Sequence, residues 1–312
     1  MSDVIVNEEQ AGQRLDIYVA SIDKKYSRSI WKKLIDQGYV LLDGEKTNGK
    51  KQIKVGQTVT INDLEPLDEL SLDIIYENAD VLVINKPAGV LTHLKSDLAS
   101  EPTIASFIAE KTTASGGNRA GIVHRLDRAT SGVILTAKND KARVFMTKQF
   151  SNRRVQKWYL AVVKGDLDQS EYHIDKPIGR SYSKPSHFRI TPNGKNAVTD
   201  VFRLSHGQST SVVLLKPTTG RTHQLRVHLA SLGHPIVGDP IYSKPYNEQK
   251  HPVMQLHAWQ LEATLPDNDR RDFVADVPES MTKYFTDECR DKAKTIIASQ
   301  KYSAPADDVQ AD

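Results

Sequence analysis

The chain has a single cysteine, Cys289, among 312 residues. That scarcity excludes an intramolecular disulfide and any cysteine-cluster zinc site, and it suits a reducing compartment. Long apolar runs are also missing. Nothing approaches the roughly 20 residues that cross a bilayer, and the start Met1-Ser2-Asp3-Val4 has no basic-then-apolar signal region, so a cytoplasmic protein with no membrane partner is expected. There is no dinucleotide fingerprint, no P-loop and no H-E-x-x-H arrangement, which leaves hydride transfer, nucleotide hydrolysis and zincin chemistry without a sequence basis. A charge excess is absent as well. With 42 Lys and Arg against 39 Asp and Glu, the net charge of +3 is too balanced to demand a polyanionic partner.

What charge there is, is segregated. Residues 24–33 carry Lys24, Lys25, Arg28, Lys32 and Lys33 with no acid, whereas residues 63–80 carry Asp63, Glu65, Asp68, Glu69, Asp73, Glu77 and Asp80 with no base. The length accommodates one sizeable core and a small accessory domain. Leu15, Tyr18, Val19 and Ile22 at i, i+3, i+4 and i+7 predict a first helix. A second helix follows, capped by Ser27, striped by Ile30, Trp31, Leu34 and Ile35 and stopped at Gly38. Its basic residues read equally as a solvated face or an RNA-binding one. Val40–Leu42 before the Asp43-Gly44 turn, and the alternating run up to Ile61, predict small strands. The acidic, aperiodic stretch around Pro66 reads as a linker.

The later chain reads mainly as strands, at 72–76, 81–84, 157–163, 187–190, 197–202 and 211–215. No helix signal interrupts the last of them, which predicts a largely antiparallel sheet. Ile104, Phe107 and Ile108 predict a short helix. Asp140 is placed to cap a helix burying Ala142, Phe145, Met146 and Phe150, and Thr222 one burying Leu225, His228, Leu229 and Leu232. Arg226 falls about a quarter turn off that stripe, where a cleft would receive it. Lys138, Lys141, Arg143, Lys148, Arg153, Arg154 and Lys157 predict a positive exterior. His223, His228 and His234, five and six residues apart, do not share a helix face and read as structural histidines instead of zinc ligands. From 298 onward the composition predicts disorder.

One stretch centres the rest: Gly121-Ile122-Val123-His124-Arg125-Leu126-Asp127-Arg128-Ala129-Thr130-Ser131-Gly132, then Val133-Ile134-Leu135. Cations within hydrogen-bonding range hold a carboxylate in its charged form, ready as nucleophile or base. Ile122-Val123 and Val133–Thr136 read as short strands with Thr130-Ser131-Gly132 as the turn between them, which puts Asp127 on a loop. An Asp between two arginines is equally the pattern of a surface ion pair. Spacing alone leaves both open.

The motif His-Arg-Leu-Asp-x-x-Thr-Ser-Gly at 124–132 resembles the signature of the RluA-type pseudouridine synthases. Lys157–Gly165 and Gly220–Leu229 with Gly233–Pro240 resemble that family's second and third motifs, and Asn85–His93 is similar to a further shared stretch bordering the RNA cleft. Arg14-Leu15-Asp16, Ser27-Arg28, Leu34-Ile35, Gly38-Tyr39-Val40, Asp43-Gly44 and Val55-Gly56 resemble the S4 domain, a small RNA-binding module. The resemblance implies an α+β protein, with an S4-like RNA-binding domain at 12–63, an acidic linker at 64–71 and a catalytic domain at 72–290. That domain would hold a mixed, largely antiparallel central sheet flanked by helices, before a disordered tail at 298–312.

The activity so implied is isomerisation of uridine to pseudouridine in RNA, foremost 23S large-subunit rRNA or its precursor, by a monomer without metal or organic cofactor. Asp127 would be the catalytic carboxylate, acting at C1′ or steering proton loss toward a glycal. Tyr159 would stack on the target base and Arg226 would pair with Asp127. Arg125 would enter the RNA stack where the uridine leaves, His124 and Arg221 would be further RNA contacts, and Arg14, Arg28, Lys32 and Lys33 would meet phosphates. The rivals are a synthase acting on tRNA, a non-catalytic ribosome-assembly factor that keeps the fold, and more distantly a metal-dependent hydrolase.

Overall fold

In a computed structural model the chain is described at residues 2–24, 26–63, 70–94, 101–184, 186–244 and 253–300. Lys25, the linker at 64–69 and the end of the tail at 301–312 lie outside them. The described residues divide into two compact units, a smaller one of 2–63 with 94, 101 and 102, and a larger one of 70–93 and 103–300.

The smaller unit consists of β1 (Ser2–Ile5), α1 (Leu15–Ile22), α2 (Arg28–Gln37), β2 (Val40–Leu42), β3 (Glu45–Lys46) and β4 (Thr58–Ile61). Both predicted helices form where their apolar spacing put them. Leu15, Tyr18, Val19, Ile30, Trp31, Leu34 and Ile35 are buried together with Val40 and Val59 in one core. Gly38 ends α2 at φ 95°, a left-handed conformation that costs glycine little. Ser27 stands at the N-cap but its side chain makes no capping bond there; it meets Ser29 instead. Asp43 (φ 54°) and Gly44 (φ 79°) make the tight turn between β2 and β3. The edge strand β1, which pairs with β4, had no counterpart in the sequence reading.

The larger unit holds β5 (Asp73–Glu77), β6 (Val81–Lys86), α3 (Ile104–Ile108), β7 (Ser131–Ala137), α4 (Asp140–Ser151) and β8 (Gln156–Lys164). It continues through β9 (Glu171–Asp175), β10 (Ile178–Arg180), β11 (Phe188–Ile190), β12 (Val198–Ser205), β13 (Thr210–Pro217) and α5 (Gln224–Ser231). The last elements are β14 (Leu256–Thr264), β15 (Arg270–Val274), α6 (Glu279–Thr282) and α7 (Asp287–Ser299). Among the described residues these build a nine-stranded sheet in the order β5-β6-β7-β14-β8-β13-β12-β9, with β15 beside β14, and a separate β10–β11 hairpin. One pairing in the large sheet, β7 with β14, is parallel; every other is antiparallel, as the uninterrupted strand run predicted.

Four local expectations need correction. Ile122 makes only an isolated bridge to Thr136, so no strand precedes the Asp127 loop, and Ser131-Gly132 open β7 instead of forming a turn. Asn139, not Asp140, caps α4, accepting from the Ala142 N–H. Thr222 is not the cap of α5: His223 occupies that position at φ 57° without a side-chain cap bond. Ala298 and Ser299 belong to α7, whose Cys289, Ala293 and Ile297 pack against Trp158 and Leu214, so the chain stays helical past 298.

Candidate active site

The Asp127 loop is braced from behind by the stretch that follows β6. Lys86 is wholly buried, and its Nζ donates to the carbonyls of Pro87 and Val90 at 2.9 Å and of Arg128 at 3.3 Å. Such burial disfavours an ammonium, and although the Asp127 charge works against this, the Lys86 amine is pulled down to about 7. Gly89 N–H donates to the Arg128 carbonyl, and Thr92 Oγ1 both donates to the Leu126 carbonyl and accepts from the Leu126 N–H. Asp127 is thereby fixed between two tethered neighbours, while its own carboxylate stays 21% exposed.

Helix α5 supplies the partner. Arg226 Nη1 lies 3.2 Å from Asp127 Oδ2, closing a separation of 99 residues. The same guanidinium donates through Nε and Nη2 to Asp239 at 2.7 and 2.9 Å, a bidentate charge-assisted pair with a fully buried carboxylate. Burial opposes the Arg226 charge, but Asp239 and then Asp127 outweigh it and hold the guanidinium firmly charged. Burial likewise disfavours charged Asp239, yet Arg226 and the N–H groups of Tyr242 and Ile241 keep its carboxyl below the usual range.

A second contact reaches the same oxygen. His223 Nε2 stands 3.8 Å from Asp127 Oδ2, and its Nδ1 is 2.9 Å from Tyr242 Oη, which accepts from the Phe188 N–H. Tyr242 thus bridges the Phe188 N–H and the His223 ring, holding the imidazole edge toward Asp127. Burial holds His223 neutral against the pull of Asp127. Both protein contacts converge on Oδ2. Gln224 fixes this corner, accepting from Thr219 Oγ1 and the Arg221 N–H and donating to the Val198 carbonyl and Thr199 Oγ1.

The cleft in front of Asp127 is lined by Arg125, Thr130, Lys157, Tyr159, Arg221 and Arg226, so the motif residues converge on one cavity. Tyr159 projects from β8. Burial, and secondarily the Asp127 charge, push its phenol far above the ordinary range, so it stays a hydrogen-bond donor and an aromatic face at any working pH. Arg125 is exposed on the rim, and Arg221 is anchored there by an Nε bond to the Asn196 carbonyl.

Not every predicted RNA contact stands free for RNA. His124 Nε2 accepts from the Leu135 N–H at 2.9 Å, its ring is stacked on Phe150 and burial pulls it to about 3, so it is a neutral strut and not a phosphate-binding cation. In the smaller unit Arg14 chelates the buried Asp16 at 3.0 and 2.8 Å, and Arg28 Nε adds a bond at 3.2 Å. Burial opposes the Asp16 charge, and the two arginines overcome it and hold the carboxyl low. Half of the four proposed phosphate ligands there therefore have a structural duty first. Lys32 is half-buried and Lys33 exposed on α2. His228 bonds Thr199 Oγ1 and the Lys176 carbonyl, and His234 the Lys164 carbonyl, as structural histidines do. Among the described residues no group of three His, Cys, Asp or Glu side chains is arranged to hold a metal ion, and no helix is long and apolar enough to cross a membrane. Lys86, Asp239 and Tyr242 have no role that residue type or spacing in the sequence points to; it emerges from their contacts in the fold.

A carboxylate, a buried guanidinium and an aromatic donor thus share one cleft of a mixed sheet, and a helical-pair module precedes it, the arrangement the resemblance to RNA-modifying synthases implies. The comparisons agree: residues 80–231 match the RNA pseudouridylate synthase family and residues 13–59 the S4 domain. The chain is 36% identical over 291 residues to the uncharacterized RNA pseudouridine synthase YlyB of Bacillus subtilis (strain 168), covering 90% of this chain and 96% of that one. It is 33% identical over 298 residues to ribosomal large subunit pseudouridine synthase D of Vibrio cholerae, covering 89% and 92%. The solved structure of human RNA pseudouridylate synthase domain containing 1 superposes with a TM-score of 0.59 at 32% identity, over 72% of this chain and 90% of that one. The chain belongs to the RNA pseudouridine synthase family and is an isomerase whose partner is RNA.

Proposed function

We propose that this enzyme converts specific uridines of 23S large-subunit rRNA to pseudouridine, with Asp127 as the catalytic carboxylate. The observation that carries this reading is the ion pair at the cleft: Arg226 donates to Asp127 Oδ2, His223 lies 3.8 Å from the same oxygen, and Asp127 lines the cavity that the motif residues share. In the reaction the C1′–N1 bond breaks, C1′ joins C5, the C5 proton leaves and N1 gains a proton. Nothing is oxidised, reduced or hydrolysed, so the chemistry calls for no electron or group carrier. Asp127 works on the ribose, Arg226 keeps its carboxylate oriented, and Tyr159 offers the freed uracil a face to stack on while it turns.

The large-subunit assignment is supported by the union of an S4 domain with this catalytic unit and by the likeness to ribosomal large subunit pseudouridine synthase D. We further propose that the enzyme acts in the cytoplasm as a monomer; a single-chain mass in light scattering checks the oligomeric state. The main test is carbodiimide mapping of pseudouridine in large-subunit rRNA from cells with the intact gene, a deletion and Asp127→Asn. Sites lost in both mutants and restored by the intact gene are expected. An unchanged rRNA map with altered tRNA would move the substrate, and unchanged maps in both would leave an RNA-binding assembly factor.

A further inference from the structure

The Asp127 cleft continues past Tyr159 into a second recess whose lining includes Arg125, Arg153, Lys157 and Arg221 and no carboxylate. Lys157 belongs by its sequence to the positive exterior, but in the fold it turns inward. It lies two residues from Tyr159 on β8 and therefore on the same face of the strand. Its Nζ lies beside Gly220, where a Cβ would stand at 3.9 Å, so the backbone of the 218–221 stretch borders the ammonium.

No hydrogen bond or ion pair engages Lys157 among the described residues. Burial, and secondarily the nearby Arg153, bring its amine down to about 8. A desolvated ammonium without a counter-charge is unfavourable unless a ligand supplies one. Arg153, exposed at the mouth, adds a second cation: it follows α4 at φ 60°, a conformation suited to glycine, and lines the same recess. The wall is the neutral His124 ring on Phe150, which adds no charge. Because Arg125, Lys157, Tyr159 and Arg221 line both cavities, an anion in the recess sits next to a base in the cleft.

We propose that this recess binds the RNA phosphodiester bordering the target uridine, with Lys157 as the anchoring cation and Arg153 and Arg221 beside it. The proposal rests on the reading of the substrate as rRNA. The test measures tritium release from a C5-tritiated large-subunit rRNA transcript by the full-length protein, across a potassium chloride series, for wild type, Lys157→Gln and Lys157→Arg. Lys157→Gln is expected to raise KM roughly tenfold, more than it lowers kcat, and to make the log KM against log salt slope shallower by about 1; Lys157→Arg restores both. Between pH 7 and 9 the wild-type KM rises as the ammonium is lost, and that of Lys157→Arg does not. The groups facing Lys157 are the guanidinia of Arg125, Arg153 and Arg221 together with Tyr159 and His124, and the last two stay neutral over this range.

An unchanged KM and salt slope in Lys157→Gln overturns the subsite. So does a loss of kcat with lowered melting temperature that Lys157→Arg fails to rescue, which marks a structural lysine. If wild type releases no tritium from rRNA, the substrate reading falls by itself, and filter binding of the same RNA to wild type and Lys157→Gln still decides the subsite through the salt slope of Kd.

Discussion

Arg226 is shared between two carboxylates of unequal exposure, and the inequality divides their labour. Asp239, fully buried, holds two of its nitrogens; Asp127, open to the cleft, receives the third. Asp239 is thus a positioning residue. Asp239→Asn is expected to lower kcat about 100-fold with a smaller effect on KM, as misplacement of a reacting group does. The broken buried pair should cost ~3–5 kcal/mol in urea unfolding. At the cleft rim, Arg125→Lys should lose most turnover on folded RNA, because an ammonium cannot stack as a guanidinium does; single-turnover rates at saturating RNA check this, and a wild-type rate would exclude a stacking role. Asp127, Tyr159 and Arg226 were legible because each lies in a short motif. Asp239 and Lys86 also fall in family-like stretches, at 233–240 and 85–93, but their roles were not legible, since the partners that explain them are a guanidinium 13 residues back and three loop carbonyls, contacts made only by the folded chain. At Arg14 and Arg28 the sequence shows the charge but not its partner: Asp16, the acid they hold, is hidden beside an apolar stripe that the periodicity picks out.

Strand β7 shows how an element can be composed like a turn. Thr130-Ser131-Gly132 has turn chemistry, but Gly132, at φ 110°, serves the parallel pairing with β14, where an added Cβ would lie 2.1 Å from the Ala258 carbonyl oxygen. Gly132→Ala is therefore expected to destabilise the protein by at least about 3 kcal/mol, through strain and overpacking together, with a matching drop in the urea midpoint. Helices were read well because their apolar spacing is local; their caps slipped by one residue, Asn139 for Asp140 and His223 for Thr222, as element boundaries usually do. Strand partners were beyond reach of the sequence. Val133-Ile134-Leu135 is apolar enough to be buried on both faces, yet nothing within it says that one neighbour comes from residue 257 onward.

Two buried histidines tie the entire larger unit to pH. Burial, the leading cause in both, lowers His124 to about 3 and His257 to about 4, against about 6.5 in an unfolded chain. The unfolded state thus takes up protons first, and the stability is complete above pH 6.5 and lost as pH falls through the folded values. Each histidine contributes roughly 1.4 kcal/mol per pH unit within its window, so the urea midpoint should be lower at pH 5 than at pH 7, and a flat profile would show that these rings stay hydrated. The pairing order of the large sheet has a consequence for biosynthesis. Strands β5–β7 and β8–β13 never pair directly; β14 lies between them and is made last of the three groups. On the ribosome, the nascent chain therefore carries two half-sheets with raw edges until residues 256–264 have left the exit tunnel. A message cut short before codon 256 yields an aggregation hazard, and not a weakened enzyme.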